Sequence, residues 1–240
     1  MHLAGVSLQR AADATEFIAR FAGDDRNVAD FLIGDVLAGV ADGDREFLLR
    51  TSVLDRLTGP LCDAVAGVAD GAATLDRMER GGLLVVRLDS TRRWYRYHRL
   101  FGDWLRHELR RTAPDLIPVL HLTAARWYAE NGAVQPAVDH AITAGDHLLA
   151  ARLIDRYLQD WAAVHWSLVW QWFQQLPDSA IRAHPMTAVA RFNVALARGD
   201  FASSSQWIEA ATEALDALPP ELLPILKMTV GLHRAYGELV

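Results

Sequence analysis

The sequence predicts a mainly α-helical protein in which a winged-helix domain, helices plus a β-hairpin, is followed by a TPR-like solenoid of antiparallel helix hairpins. Three observations carry that expectation. Short amphipathic stretches precede a region, residues 83–98, where the apolar period falls from about 3.6 to 2 residues across an Asp89-Ser90-Thr91 turn. Beyond it the helical period resumes, broken at Asn131-Gly132, Ala144-Gly145-Asp146 and Arg198-Gly199-Asp200. The length of 240 residues, 51% of them apolar, suits one large or two modest cores, and two are expected.

Taken in order, residues 8–21 form an amphipathic helix that Gly23-Asp24-Asp25 interrupts. Asn27 then caps a second helix, with Asp30 adding negative charge to its first turn and Phe31, Leu32, Val36 and Val40 at helical spacing. The stretch from Arg45 places Phe47, Leu48, Val53 and Leu54 on one broad face until Thr58-Gly59-Pro60 stops it. Pro60 suits the first turn of the next helix, 61–66, and a further helix over 72–80 ends at Gly81-Gly82. Alternation then makes a hairpin, with Trp94, Arg96 and His98 on one face of its second strand and Tyr95 and Tyr97 on the other. Leu100, Trp104, Leu105 and Leu109 restore the helix, and Pro114 closes it. The expected domains are therefore 27–113 for the winged helix and 114–240 for the repeats.

In the repeats, Ile117, Leu120, His121, Ala124, Trp127 and Tyr128 face Ala137, Val138, Ala141 and Ile142 across the Asn131-Gly132 turn. A related pattern returns with Val189, Phe192 and Leu196 before Arg198-Gly199-Asp200, and the two Gly-Asp turns resemble each other. Small residues such as Ala124, Ala125, Ala141, Ala190 and Ala195 would allow close helix approach, as solenoids require. The sequence stops inside another apolar helix, 225–239, without a polar capping repeat, so the repeats are expected to be incomplete and the chain a fragment.

Several function classes lose support. A net charge of −6 and a pI near 5.8 argue against coating of nucleic acid or an anionic membrane, which needs a broad positive field. The N-terminus lacks a signal peptide's basic start and apolar core, and no apolar run nears the roughly 20 residues of a membrane span, so a cytoplasmic protein is expected. Cys62 stands alone among apolar neighbours and reads as a buried small hydrophobe. No GxxxxGK[ST] loop occurs, and the sole lysine, Lys227, follows Pro-Ile-Leu. His107-Glu108 begins like a zinc-protease motif, but Arg111 stands where the second histidine belongs. With no GxSxG elbow either, no catalytic or metal-binding residue is expected, and the chain is not read as an enzyme.

Two segments remain as candidate sites. His98 falls at the junction of the second strand and the following helix, where its ring can address an anion or a neighbouring domain, or merely cap the helix. Seven arginines lie between Arg92 and Arg111 against Asp103 and Glu108, which suits a solvated face, an acidic or phosphate-bearing partner, or DNA contact by the wing. Trp161, Trp166, Trp170 and Trp172 crowd a second segment, with Trp166 and Trp170 one helical turn apart. Such aromatics serve as a ligand platform or, more commonly, as helix-packing wedges.

The segments VADFLIGDVL, FLLRTSVLDRLTGPLCDAV, LDRMERGGLLVVRLD, WYRYHRLFGDWLRHELRR, LHLTAARWYAENGAVQPAVDHAITAGD and QQLPDSAIRAHPMTAVARFNVALARGDF cover most of the chain. In this order they resemble the middle of MalT-like regulators, the large ATP-binding LuxR-type transcription regulators of the STAND class. The resemblance implies that residues 1–26 are the tail of a nucleotide-binding region. It also implies a switch in which ADP holds a resting form, and ATP with an inducer yields an oligomer that activates transcription. Under it His98 matches a winged-helix histidine that reads the nucleotide's phosphates, Arg96 and Arg99 could assist, and Trp166, Trp170 and Trp172 become a candidate effector or partner surface. The implied partners are a nucleotide-binding domain, in cis or in trans, and a small-molecule or protein effector. ADP or ATP belongs to the full-length regulator, because this chain has neither P-loop nor Walker B region. DNA would be reached only through a C-terminal helix-turn-helix that this sequence does not contain. The alternatives are a free-standing TPR-like interaction module and direct DNA binding by the wing.

Overall fold

The computed structural model describes residues 37, 39–91, 93–160 and 164–213, with isolated positions at 220, 223, 224, 227, 228 and 231. The helix expected at 8–21, the Asn27 cap with Phe31, Leu32 and Val36, Arg92, Trp161 and most of the helix expected at 225–239 lie outside the described residues. The chain divides into two compact units, Met1–Trp127 and Tyr128–Val240.

In the first unit α1 (Asp42–Thr51), α2 (Gly59–Ala66) and α3 (Gly71–Arg80) precede β1 (Val85–Arg87), β2 (Tyr95–Tyr97) and α4 (Arg99–Thr112). This is a winged helix. Thr58 caps α2 by accepting the Leu61 N–H, Pro60 occupies its first turn, and Gly67 ends it at φ +74°. The helix α1 stops earlier than its apolar pattern suggests. Thr51 Oγ1 donates to the Phe47 carbonyl and Ser52 Oγ to that of Leu49, so hydroxyls take over the last turn. The chain thus released runs extended, and Leu57 exchanges both backbone hydrogen bonds with Tyr95 at 2.8 and 2.9 Å. That bridge pairs a third segment with β2, beside the antiparallel pairing of Val85, Val86 and Arg87 with Tyr97, Arg96 and Tyr95.

Phe47, Leu48, Leu57, Leu61, Leu75, Phe101 and Leu105 are buried and fill the centre of this unit. Alternation is obeyed on β2, where Tyr95 and Tyr97 are buried while Trp94 and Arg96 face solvent. Tyr97 meets Phe101 edge to face, and its hydroxyl lies 2.6 Å from Thr51 Oγ1, which ties wing to α1. Cys62 is fully buried, and burial pushes its thiol up to about 12, consistent with a packing residue. Helices α2 and α3 approach through glycines. A Cβ at Gly59 would stand 2.6 Å from that of Ala72, and one at Gly71 would stand 2.8 Å from Asp63 Oδ1. Glu108 on α4 accepts both the Nε and Nη2 protons of Arg111 and bonds Arg45 on α1 at 3.3 Å.

The division between the units falls inside α5 (Leu116–Glu130). The second unit continues with α6 (Val134–Thr143), α7 (His147–Tyr157), α8 (Trp166–Phe173), α9 (Asp178–Arg182), α10 (Pro185–Ala197) and α11 (Phe201–Glu213). Consecutive helices pack on each other, α6 on α7 and α10 on α11, and α7 also packs on α10. Ala137, Ala141, Ala150 and Ala151 are fully buried, so side-chain volume does not hold α6 and α7 apart. The two similar turns share one construction. Gly145 and Gly199 have φ of +78° and +71°, and Asp146 and Asp200 N–H groups return to the carbonyls of Ala141 and Ala195. Each aspartate then caps the next helix, Asp146 Oδ1 accepting from Leu149 and Asp200 Oδ1 from Ser203.

Candidate functional site

Two places concentrate chemistry, one in each unit. In the first, the His98 backbone N–H donates to the Leu84 carbonyl at 2.7 Å and its own carbonyl accepts from Gly102 at 2.9 Å. The residue is therefore fixed both to the wing and to α4, where it stands as N-cap with no side-chain cap bond. Leu84 reaches this carbonyl from φ +51°, a left-handed conformation that costs a non-glycine residue roughly 1 kcal/mol. The wing spends strain at this anchor. The imidazole is half-buried, and its Nδ1 is buried without a hydrogen-bond partner among the described residues.

Burial, reinforced by the Arg96 guanidinium, lowers the His98 pKa below its ordinary value. Arg96 and Arg99 are exposed and form no ion pair among the described residues. Their neighbours differ: Arg106 is held by Asp103 at 2.7 Å and by the Ser52 carbonyl, and Arg111 by Glu108. Among the described arginines of the run, Arg106 and Arg111 are thus held by carboxylates, whereas Arg93, Arg96, Arg99 and Arg110 are exposed without an ion pair, and Arg96 and Arg99 flank His98. This set offers two guanidinium groups and the half-buried imidazole to an anion, although the buried Nδ1 is not itself open to one.

In the second unit, α8 divides its tryptophans between two surroundings. Trp172 is buried, at 1% exposure, and its Nε1 donates to Asp139 Oδ1 at 2.8 Å while Tyr157 meets its ring edge to face. It packs α8 into the unit. Trp166 and Trp170 instead line a groove of about 530 Å3 with Gln171 on α8, and Asn193, Val194 and Arg198 at the α10 end. The sequence therefore groups three tryptophans that the fold sorts into two and one.

Sequence reading missed the cations around these rings. The Arg198 guanidinium stands 4.4 Å from the Trp170 centroid, Arg191 stands 5.2 Å from it, and Arg182 stands 4.3 Å from Trp207. The signal was present in part, because Arg191 and Arg198 are seven residues apart and share a helical face. Which tryptophans they would meet depended on packing between α8, α10 and α11. Among the described residues there is no cluster of metal ligands, and no helix is long and apolar enough to cross a membrane.

Residues 33–117 match the family model of the MalT winged helix domain. Over 204 residues, 82% of this chain, the sequence is 35% identical to the serine/threonine-protein kinase PknK of Mycobacterium tuberculosis, covering 18% of that protein. Over 139 residues, 58% of this chain, it is 34% identical to the HTH-type transcriptional regulator MalT of Klebsiella pneumoniae, covering 15% of that protein. The chain thus spans less than a fifth of the length of these relatives.

Proposed function

Because this chain is MalT-like, with a MalT winged helix domain at residues 33–117, we propose that it is the lever and sensor segment of an ATP-dependent regulator of the STAND class and LuxR family. In this reading it catalyses nothing itself. The winged helix rests against a nucleotide-binding domain and reports the nucleotide's phosphates, and the helices after it form the TPR-like receiver for an effector. Promoter contact belongs to a separate helix-turn-helix domain.

The supporting observation is the His98 site. A half-buried imidazole, its residue held by backbone bonds on both sides and flanked by the exposed guanidinium groups of Arg96 and Arg99, fits a phosphate group in chemistry. The chain could supply only those contacts, since it has no P-loop to cradle the rest of a nucleotide. In the free segment His98 favours the neutral state, and an adjoining phosphate would favour the imidazolium, so docking draws in a proton. Anchoring of the residue to Leu84 on the wing and Gly102 on α4 gives the contact a mechanical outlet.

The test uses the native polypeptide that carries these residues, its size first fixed by immunoblot with antiserum against this chain. His98→Ala and Arg96→Gln should speed ADP release at least tenfold, as loss of a charge-assisted hydrogen bond of about 1.5–3 kcal/mol implies. Unchanged ADP release in both variants would refute the reading. Exposed Arg96 and Arg99 also suit duplex DNA. That second reading requires salt-sensitive binding by this chain that weakens when Arg92, Arg93 and Arg96 are neutralised.

A further inference from the structure

Arg198 carries the argument in the second unit. Its guanidinium lies over Trp170 and has no hydrogen bond or ion pair among the described residues. A guanidinium held over an aromatic ring through its face keeps an N–H edge that can pair with a carboxylate in bidentate fashion. Arg191, near the same ring, keeps Nε and Nη1 buried without hydrogen-bond partners. Asp200 offsets part of this charge, but it caps α11 by accepting from Ser203 at 3.0 Å, and no carboxylate lines the groove among the described residues. The walls are otherwise apolar or neutral: Trp166, Trp170, Val194 and Ala197, with Gln171 and Asn193. At about 530 Å3 the groove falls within the range of roughly 300–1,000 Å3 that holds small molecules.

We propose that this groove between α8 and α10 binds a small planar aromatic carboxylate, its ring lodged against Trp166 and Trp170 and its acid group paired with Arg198. Arg191 adds positive potential behind the platform. The proposal deepens the reading of the second unit as an effector receiver by naming the ligand class, and it rests on that reading only for its physiological meaning. Binding itself needs no nucleotide and no partner domain.

The probes are 2-naphthoate and its neutral isostere 2-naphthamide, titrated into the 240-residue chain by calorimetry. Naphthoate should bind, and naphthamide should bind at least tenfold more weakly, because one charge-assisted pair separates them. Arg198→Gln should weaken naphthoate by a similar factor and leave naphthamide unchanged. Ala197→Phe, which fills the groove from an exposed position, should abolish both. Far-UV circular dichroism of each variant establishes that it is folded. Equal affinity for the two probes, an unaffected Arg198→Gln, or no naphthoate binding at millimolar concentration overturns the proposal. Any of these results would leave the His98 reading standing, because ADP release from the native polypeptide is measured separately.

Discussion

Gly71 and Gly43 make a matched test of how the winged helix is packed. Both lie in the first turn of a helix, Gly43 in α1 and Gly71 in α3. A Cβ at Gly43 meets nothing within 4 Å, so Gly43→Ala should gain about 0.5–1 kcal/mol from helix propensity and a less mobile unfolded chain. At Gly71 the same atom would stand 2.8 Å from both Asp63 Oδ1 and the Gly59 carbonyl, and 3.2 Å from Cys62 Cβ. Two of these contacts cannot swing aside: one is backbone, and Asp63 is held by the 2.7 Å bond it accepts from the Gly71 N–H. Overpacking of this kind costs typically 1–3 kcal/mol, and the loosened Asp63 bond adds about 1 kcal/mol, against a propensity gain below 1 kcal/mol. Gly71→Ala should therefore destabilise α2 and α3 by about 2 kcal/mol. Hydrogen exchange read by mass spectrometry on peptides from 59–80 measures it locally, as a loss of protection of about thirtyfold in the regime where exchange reports the opening equilibrium. If Gly71→Ala were as protected as the parent, or moved in the same direction as Gly43→Ala, the close α2–α3 crossing would be wrong.

Tyr97→Phe removes the 2.6 Å bond to Thr51 but leaves Thr51 bonded to the Phe47 carbonyl, so urea unfolding should show a loss of only about 1 kcal/mol. Trp172→Phe loses the bond to Asp139, whose exposed carboxylate water can satisfy, and shrinks a core residue, and should cost the second unit about 1–2 kcal/mol by the same measurement, whereas Trp166→Phe should cost under 1 kcal/mol. His98 and His121 both sit below their ordinary value of 6.5, each chiefly through burial, so between pH 6.5 and their depressed values the unfolded chain binds more protons than the folded one. Stability should accordingly be full above pH 6.5 and fall on acidification below it. His121→Asn should flatten the slope of midpoint against pH, and an unchanged slope in the variant would exclude His121 as a source. Glu108, held low first by Arg111 and then by Arg45, adds a second loss as the pH falls below 4.5, which Glu108→Gln should remove.

Local rules decided much of this molecule in advance. Periodicity located the hairpin and α1 to α6, α10 and α11, though not α7 or α9, the inward tyrosines of β2 followed from strand alternation, and the two Gly-Asp turns announced a shared geometry because only glycine adopts their positive φ cheaply. His98 could be placed at the strand-to-helix junction for the same reason, since both neighbours are regular elements. Contacts distant in sequence were another matter. The early end of α1 and the Leu57–Tyr95 bridge join segments 38 residues apart, and no period in 45–57 encodes an extended partner. Likewise Trp166, Trp170 and Trp172 share one composition and one helix, yet Asp139 claims Trp172 while Arg198 reaches Trp170. Sequence spacing fixes which side chains share a face. Only the docking of α8 against α10 decides which face is core, which is groove, and where an unsatisfied cation comes to rest.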